Sequence, residues 1–119
     1  MLIVRAQVSD QWVNLLVDTG CTVTSLTREA VDRLGLDRSR FTGRRIVFTA
    51  AGTSMAVPTG RLDSLRLGAA HLRNVEVALV DLPASVNLDG LLGVNVLDRF
   101  RATFEFRRAT LVLRPEPPR

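Results

Sequence analysis

Leu15-Leu16-Val17-Asp18-Thr19-Gly20-Cys21-Thr22-Val23-Thr24-Ser25-Leu26 is the stretch on which the reading of this chain turns. Three apolar residues run straight into a carboxylate, a hydroxyl and a glycine, and the apolar pattern resumes at Val23. A carboxylate placed directly after a fully apolar strand is expected to be partly buried, and a buried carboxylate needs partners or a shifted titration. Thr19 offers a hydroxyl, and Gly20 lets its backbone N–H approach closely, so the tripeptide can satisfy Asp18 locally. The plain alternative is that Asp18 merely organises a turn, as Asp often does before Gly. A bare Asp-Thr-Gly carries little weight by itself.

Outward from this segment, the pattern favours strands. Leu2–Val8 and Trp12–Val17 are rich in β-branched residues and are separated by Ser9-Asp10-Gln11, a hairpin spacing. After Leu26, Thr27 is placed to cap a short helix over Arg28–Leu34, with Gly35 as its stop. Residues 36–44 are polar and Arg-rich and read as a loop. Arg45–Thr49 and Met55–Val57 flank a hairpin tip in which Gly52 supplies a positive φ. Arg61–Leu67 alternates with one slip near Ser64, His71–Val80 follows as a strand after Gly68-Ala69-Ala70, and Leu88–Gly93 leads into one helical turn at Val94–Arg99. Thr103–Phe106 and Thr110–Leu113 close the fold. Residues 88–99 echo residues 15–34 (apolar strand, Gly-containing break, short helix), which suggests a pseudo-symmetric β-domain with one chemically armed loop. The domain is assigned to residues 1–114, with a Pro-rich tail at 115–119.

Composition limits what such a loop can do alone. The chain has 119 residues, 46% hydrophobic and 24% charged, an ordinary globular balance for one domain. A chain of this length buries roughly two-thirds of its unfolded surface, enough for one modest core. It is too short for an active site in a cleft between two lobes unless a second copy contributes. All 16 basic residues are Arg, against 12 acidic ones, for a net charge of +4. They are scattered, and only five Phe and Trp12 could interleave with them, so a nucleic-acid surface is disfavoured. Cys21 is the single Cys and His71 the single His, which excludes an intrachain disulfide, a Ser-His-Asp triad and any Cys- or His-rich metal site within one chain. No signal peptide or membrane-spanning segment is present, so a complete chain of this sequence would be expected in the cytoplasm, away from membranes.

The order of segments resembles the retropepsin-like aspartic proteases of the bacterial single-domain branch. The resemblance runs from about Val4 to Leu113. It is carried by Val17–Leu26, then Leu34-Gly35-Leu36, then Phe48-Thr49-Ala50-Ala51-Gly52, which looks like a flap, and finally Asp89-Gly90-Leu91-Leu92-Gly93-Val94-Asn95-Val96-Leu97, like the family's second apolar-apolar-Gly loop and short helix.

The resemblance implies an all-β, retropepsin-like half-barrel with one or two short helices, active as a homodimer on polypeptide substrates, with no metal and no cofactor. Asp18 would face Asp18 of a second copy across a shared water. Two carboxylates that close cannot both ionise easily, so one keeps a proton and serves as general acid while the other serves as general base. Thr19 maps to the residue that locks the two loops together across the dimer, and Gly20 to the N–H that supports the carboxylate. Ala50, Ala51 and Gly52 map to the flap tip. Leu91, Leu92 and Gly93 are expected at a substrate pocket, whose small apolar lining hints at hydrophobic side chains beside the scissile bond.

Cys21 stands where the family commonly has Ala or Ser. It reads mainly as packing, with oxidative switching of activity as the sharper idea. His71 reads as structural, Trp12 as core or interface, and Asp98 with Arg99 as solvated residues or an ion pair near the dimer interface. The main alternative to an endopeptidase is a catalytically silent domain of the same fold that binds peptides or oligomerises a larger protein. A binding barrel with a chance Asp-Thr-Gly, and a nucleic-acid binder using scattered Arg, rank below it.

Overall fold

The computed structural model describes residues 2–48, 52–83 and 86–115. Strands β1 (Ile3–Val8) and β2 (Gln11–Val17) form a hairpin whose two turn residues, Ser9 and Asp10, both have positive φ (51° and 65°). That is the turn whose twist matches paired strands. Gln11 therefore belongs to the second strand, opposite Val8. Inward positions are apolar and sealed, with Ala6, Val8, Val13 and Leu15 at 0–1% exposure.

After a loop come β3 (Ser25–Thr27) and helix α1 (Arg28–Arg33). Thr27 Oγ1 accepts a hydrogen bond from Ala30 N at 3.1 Å and caps the helix. Gly35, at φ 71°, ends it just after Leu34. Ala30, Val31 and Leu34 face the core. Within the stretch read as loop, Arg38–Arg40 form a turn of 3₁₀ helix capped by Asp37.

β4 (Gly43–Phe48), β5 (Ser54–Leu67) and β6 (Ala70–Val80) make a long antiparallel meander. β5 runs unbroken through Pro58, which lies where only β4 is beside it, because pairing with β6 begins at Thr59. That placement spares the sheet the amide Pro lacks. The slip in alternation near Ser64 has a structural cause on the partner strand. The register runs from Leu62↔Val75 to Ser64↔Arg73 and leaves out Asp63 opposite Asn74, whose φ is 55°. Both strands change face there together, so Leu62, Leu65, Leu72 and Val75 all stay buried.

β7 (Gly90–Leu92), α2 (Val94–Leu97), β8 (Phe100–Glu105), a 3₁₀ turn at Phe106–Arg108 and β9 (Thr110–Pro115) complete the chain. Residues 116–119 of the Pro-rich tail lie outside the described residues. The strand order is β1-β2-β7-β3-β6-β5-β4, and a Gln7↔Arg66 pair returns β1 to β5. Six strands thus close a barrel, with β4 as an outer extension. β8 and β9 form a separate ribbon whose Phe100, Ala102, Leu111 and Leu113 pack on the barrel core. The architecture is mostly β with two short α-helices.

The repeat seen in the sequence becomes a neighbour relation in space. β2 and β7, the apolar strands of the two copies, lie parallel in the register Leu15↔Gly90, Leu16↔Leu91, Val17↔Leu92. Asp89 fastens this crossing. Its carboxylate accepts Asn14 N and Arg33 Nη1, each at 2.8 Å, while its backbone exchanges bonds with Asn14 and Thr27. Burial pushes the Asp89 carboxyl up, but the Arg33 and Asn14 hydrogen bonds and the Arg33 charge outweigh it, so the group sits below the ordinary carboxylate range.

Candidate active site

Asp18 follows the last residue of β2, and Asp18 N donates to Leu92 O at 3.0 Å, extending the parallel pairing by one step. The next residues turn back at once, with Cys21 N bonded to Asp18 O at 3.1 Å. Inside this turn Gly20 N donates to Asp18 Oδ1 at 2.9 Å. One carboxylate oxygen is thereby held by the backbone and the group stays partly exposed, while Thr19 and Gly20 lie at the surface. A Cβ on Gly20 would stand 3.3 Å from Asp18 Oδ1, so a larger residue there would push the carboxylate aside by a few tenths of an ångström.

The loop is pinned from beneath by α2. Val94 N donates to Cys21 O at 2.8 Å and Asn95 N to Thr22 O at 3.1 Å. Buried Thr24 supplies the centre of a side-chain network. Its amide and hydroxyl both donate to Asn95 Oδ1, at 2.7 and 2.8 Å, and its Oγ1 accepts Gly93 N at 3.0 Å. Asn95 Nδ2 then reaches Glu76 O on β6 at 2.9 Å. The contact between the two loops requires glycine. A Cβ on Gly93 would fall 2.7 Å from Cys21 O and 2.8 Å from Thr24 N, both backbone atoms. Thr24 and Asn95 were not singled out by sequence reasoning, although each is a polar residue set into an apolar run.

Asp18 opens onto a cleft of about 370 Å³ between its own loop and β4, and it is the only acid among the described residues lining that cleft. The floor comes from β3, β6 and β7 through Ser25, Ala78 and Leu91, and β4 contributes Ile46 and Phe48. Ile46, Phe48 and Met55 of the β4–β5 hairpin are strongly exposed, at 63%, 79% and 52%. A larger cavity of about 430 Å³, between β1, the Gly68 turn and β9, has Arg5 as the only ionisable residue among the described residues that line it. Arg45, also at the cleft, is held in a two-pronged ion pair with Glu76 at 2.9 and 2.7 Å.

Of the residues expected at a substrate pocket, Leu91 lines the cleft, whereas Leu92 is fully buried in the core and Gly93 is sealed beneath the Asp18 loop. Gly52, at the expected flap tip, has φ 81°, while Ala50 and Ala51 lie outside the described residues. The Cys21 thiol donates to Val23 O at 2.9 Å. Burial first and the Asp18 charge second push it above the ordinary thiol range, against the opposing hydrogen bond to Val23.

Of the two places expected for Trp12, core or interface, the structure excludes the core. Trp12 is 52% exposed, with the Arg5 guanidinium 4.5 Å from its ring centroid, because Gln7↔Trp12 falls on the outer face of the hairpin. His71 is an exposed β6 residue with Nε2 2.6 Å from Ser64 Oγ. Arg99 donates to Arg73 O at 3.3 Å, and Asp98 caps α2. Among the described residues no cluster of three or more His, Cys, Asp or Glu could hold a metal ion, and no helix is long and apolar enough to cross a membrane.

An armed loop crossing a second, glycine-bearing loop at the end of paired parallel strands can be compared with known proteins. The family model described as aspartyl protease matches residues 4–96. The chain belongs to that family. An uncharacterized protein of Rickettsia prowazekii is 31% identical over 112 residues, covering 92% of this chain and 45% of its own length. DNA damage-inducible protein 1 of Yarrowia lipolytica is 27% identical over 122 residues, covering 98% of this chain and 28% of its own length. The chain thus spans less than half the length of these relatives. Among solved structures, a retropepsin-like aspartic protease from Rickettsia conorii matches with a TM-score of 0.63 and 22% identity over 87% of this chain and 75% of that one. The retroviral protease-like domain of Ddi1 from Leishmania major matches with a TM-score of 0.63 and 19% identity over 95% of this chain and 87% of that one. The fold of this aspartyl protease family member is retropepsin-like.

Proposed function

We propose that this chain is an aspartic endopeptidase whose active site is completed by a second copy of itself. The observation that carries the reading is Asp18, a partly exposed carboxylate at the mouth of the cleft with one oxygen held by Gly20 N. It is the cleft's single acid among the described residues. Hydrolysis of a peptide bond by acid–base chemistry needs two groups, one to take a proton from water and one to give a proton to the carbonyl oxygen. A two-fold arrangement that brings the exposed Asp18 loops of two copies together supplies both from one gene product.

In that arrangement a water lies between the two carboxylates, of which one is ionised and one protonated, because like charges so close resist double ionisation. The ionised Asp18 removes a proton from the water as its oxygen bonds to the carbonyl carbon, and the protonated Asp18 gives its proton to the carbonyl oxygen. When the tetrahedral intermediate collapses, the C–N bond breaks, a proton passes to the leaving nitrogen, and the hydroxyl proton returns to the pair. Gly20 N keeps its Asp18 aimed throughout, so the geometry is organised before substrate arrives. Thr19, exposed beside Asp18, is assigned to the contact between the two loops. An extended polypeptide fits the cleft, bounded on one side by the β4–β5 hairpin whose exposed Ile46 and Phe48 close over it.

Wild type and Asp18→Asn are compared on an unbiased peptide mixture at acidic and neutral pH. Cleavage by the wild type alone is expected. Cleavage by neither would favour a silent peptide-binding domain, and equal cleavage by both would remove Asp18 from the chemistry.

A further inference from the structure

The floor of the cleft contains one polar group with no partner. Ser25 is 2% exposed, and its Oγ is closed off from solvent and accepts or donates no hydrogen bond. Among the described residues the other buried polar side chains are all engaged: Thr24 with Asn95, Thr27 with Ala30 N, and Thr59 with Glu76. An unpaired buried hydroxyl is a standing cost that native folds rarely keep without a use.

Its position suggests the use. Leu26 points into the core, so Ser25, one residue earlier on β3, points to the opposite face. Its cross-strand neighbours on that face are Ala78 of β6 and Leu91 of β7, both of which line the cleft beside Asp18. Three adjacent strands therefore lay a floor of one methyl, one hydroxyl and one isobutyl group. Arg45, the only basic residue among the described residues at the cleft, is occupied by Glu76 and does not compete for the hydroxyl.

We infer that Ser25 is a specificity determinant: it supplies a hydrogen bond to one side chain of the bound peptide and favours Thr, Ser or Asn over an apolar side chain of the same size at that position. The inference rests on the endopeptidase reading and narrows its substrate class, since the apolar lining by itself would select only hydrophobic residues. The partner that Oγ lacks in the free chain would be brought by a side chain pressed onto the floor. A Val in place of Thr would leave the hydroxyl unpaired in the complex as well, which is the situation in which polar pockets discriminate.

The test compares cleavage-site profiles of wild type, Ser25→Ala and Ser25→Cys on one peptide mixture, followed by kcat/KM on a peptide pair differing only by Thr or Val at the position the profile identifies. Wild type is expected to prefer Thr by about 5- to 30-fold, a hydrogen bond's worth of discrimination, and both variants to lose that preference. Ser25→Cys keeps an atom beyond Cβ and offers only a weak hydrogen-bonding group, so the result does not hinge on the space that Ala leaves. Profiles identical in all three proteins, or a wild-type preference for Val, overturn the role of Ser25 and leave the endopeptidase reading standing. No cleavage by wild type overturns both.

Discussion

Replacing Thr24 by Val tests whether the two loops at the candidate active site are held as a unit. The substitution keeps volume and β-branching and removes one hydroxyl from a residue that is 1% exposed. Two hydrogen bonds are lost, Thr24 Oγ1 to Asn95 Oδ1 and Gly93 N to Thr24 Oγ1. Asn95 Oδ1 keeps the bond from Thr24 N, so its loss is small. Gly93 N has no substitute and is left unpaired in the interior, at a cost of about 1–3 kcal/mol. The added methyl returns less than about 0.8 kcal/mol of burial. The net expectation is a destabilisation of about 2 kcal/mol, or a fall in Tm of about 8 °C for a domain of this size. Urea denaturation at one fixed protein concentration should show a lower midpoint with an unchanged slope. A double-mutant cycle with Asn95→Ala should return a coupling of about 1 kcal/mol. A Thr24→Val variant within about 0.5 kcal/mol of wild type, or strict additivity with Asn95→Ala, would refute the unit.

Other expectations follow from neighbouring groups. Because the Asp89 carboxyl lies below its ordinary range in the folded chain, its contribution is present above the unfolded value near 4 and is lost as pH falls through the lower folded value. Unfolding midpoints between about pH 6 and pH 2 should thus drop further for wild type than for Asp89→Asn, by roughly 1 kcal/mol given the exposed Arg33 partner, and parallel curves would contradict this. The Cys21 thiol, raised by burial and by Asp18, should be mostly protonated at neutral pH. It should therefore react with iodoacetamide more slowly than a free thiol. Peroxide should leave turnover unchanged, against the oxidative switch considered from the sequence. Phe48→Ser should leave the unfolding midpoint nearly unchanged, since Phe48 is 79% exposed, and should raise KM several-fold with a smaller effect on kcat, read in steady-state kinetics.

Much of the fold was legible because its signals are local. Thr27 and Gly35 bracket α1 through bonds and dihedrals within a few residues, and Gly52 announces its turn by the conformation it permits. The echo between residues 15–34 and 88–99 pointed to a pseudo-symmetric domain, and in space its two apolar strands pair as β2 and β7, a contact the echo by itself did not state. What escaped was set by partners far along the chain. Thr24 and Asn95 are 71 positions apart, so nothing near either residue states that they bond. Ser25 looked like one polar residue in an apolar run until β6 and β7 placed Ala78 and Leu91 beside it. Leu91 and Leu92 read alike in sequence, and the alternation of a strand sends one to the cleft and the other to the core. Trp12 was read as core or interface, and the register of the first hairpin excludes the core by turning it outward beneath Arg5.

The central claim is that one active site takes an Asp18 from each of two copies. Its most direct test titrates a constant amount of wild type with Asp18→Asn protein and follows peptide cleavage after the subunits have exchanged. If both carboxylates are needed, mixed pairs are inactive, and an equimolar mixture should retain about half the activity of wild type alone, falling further with excess variant. Activity that stays constant across the titration would contradict a shared site.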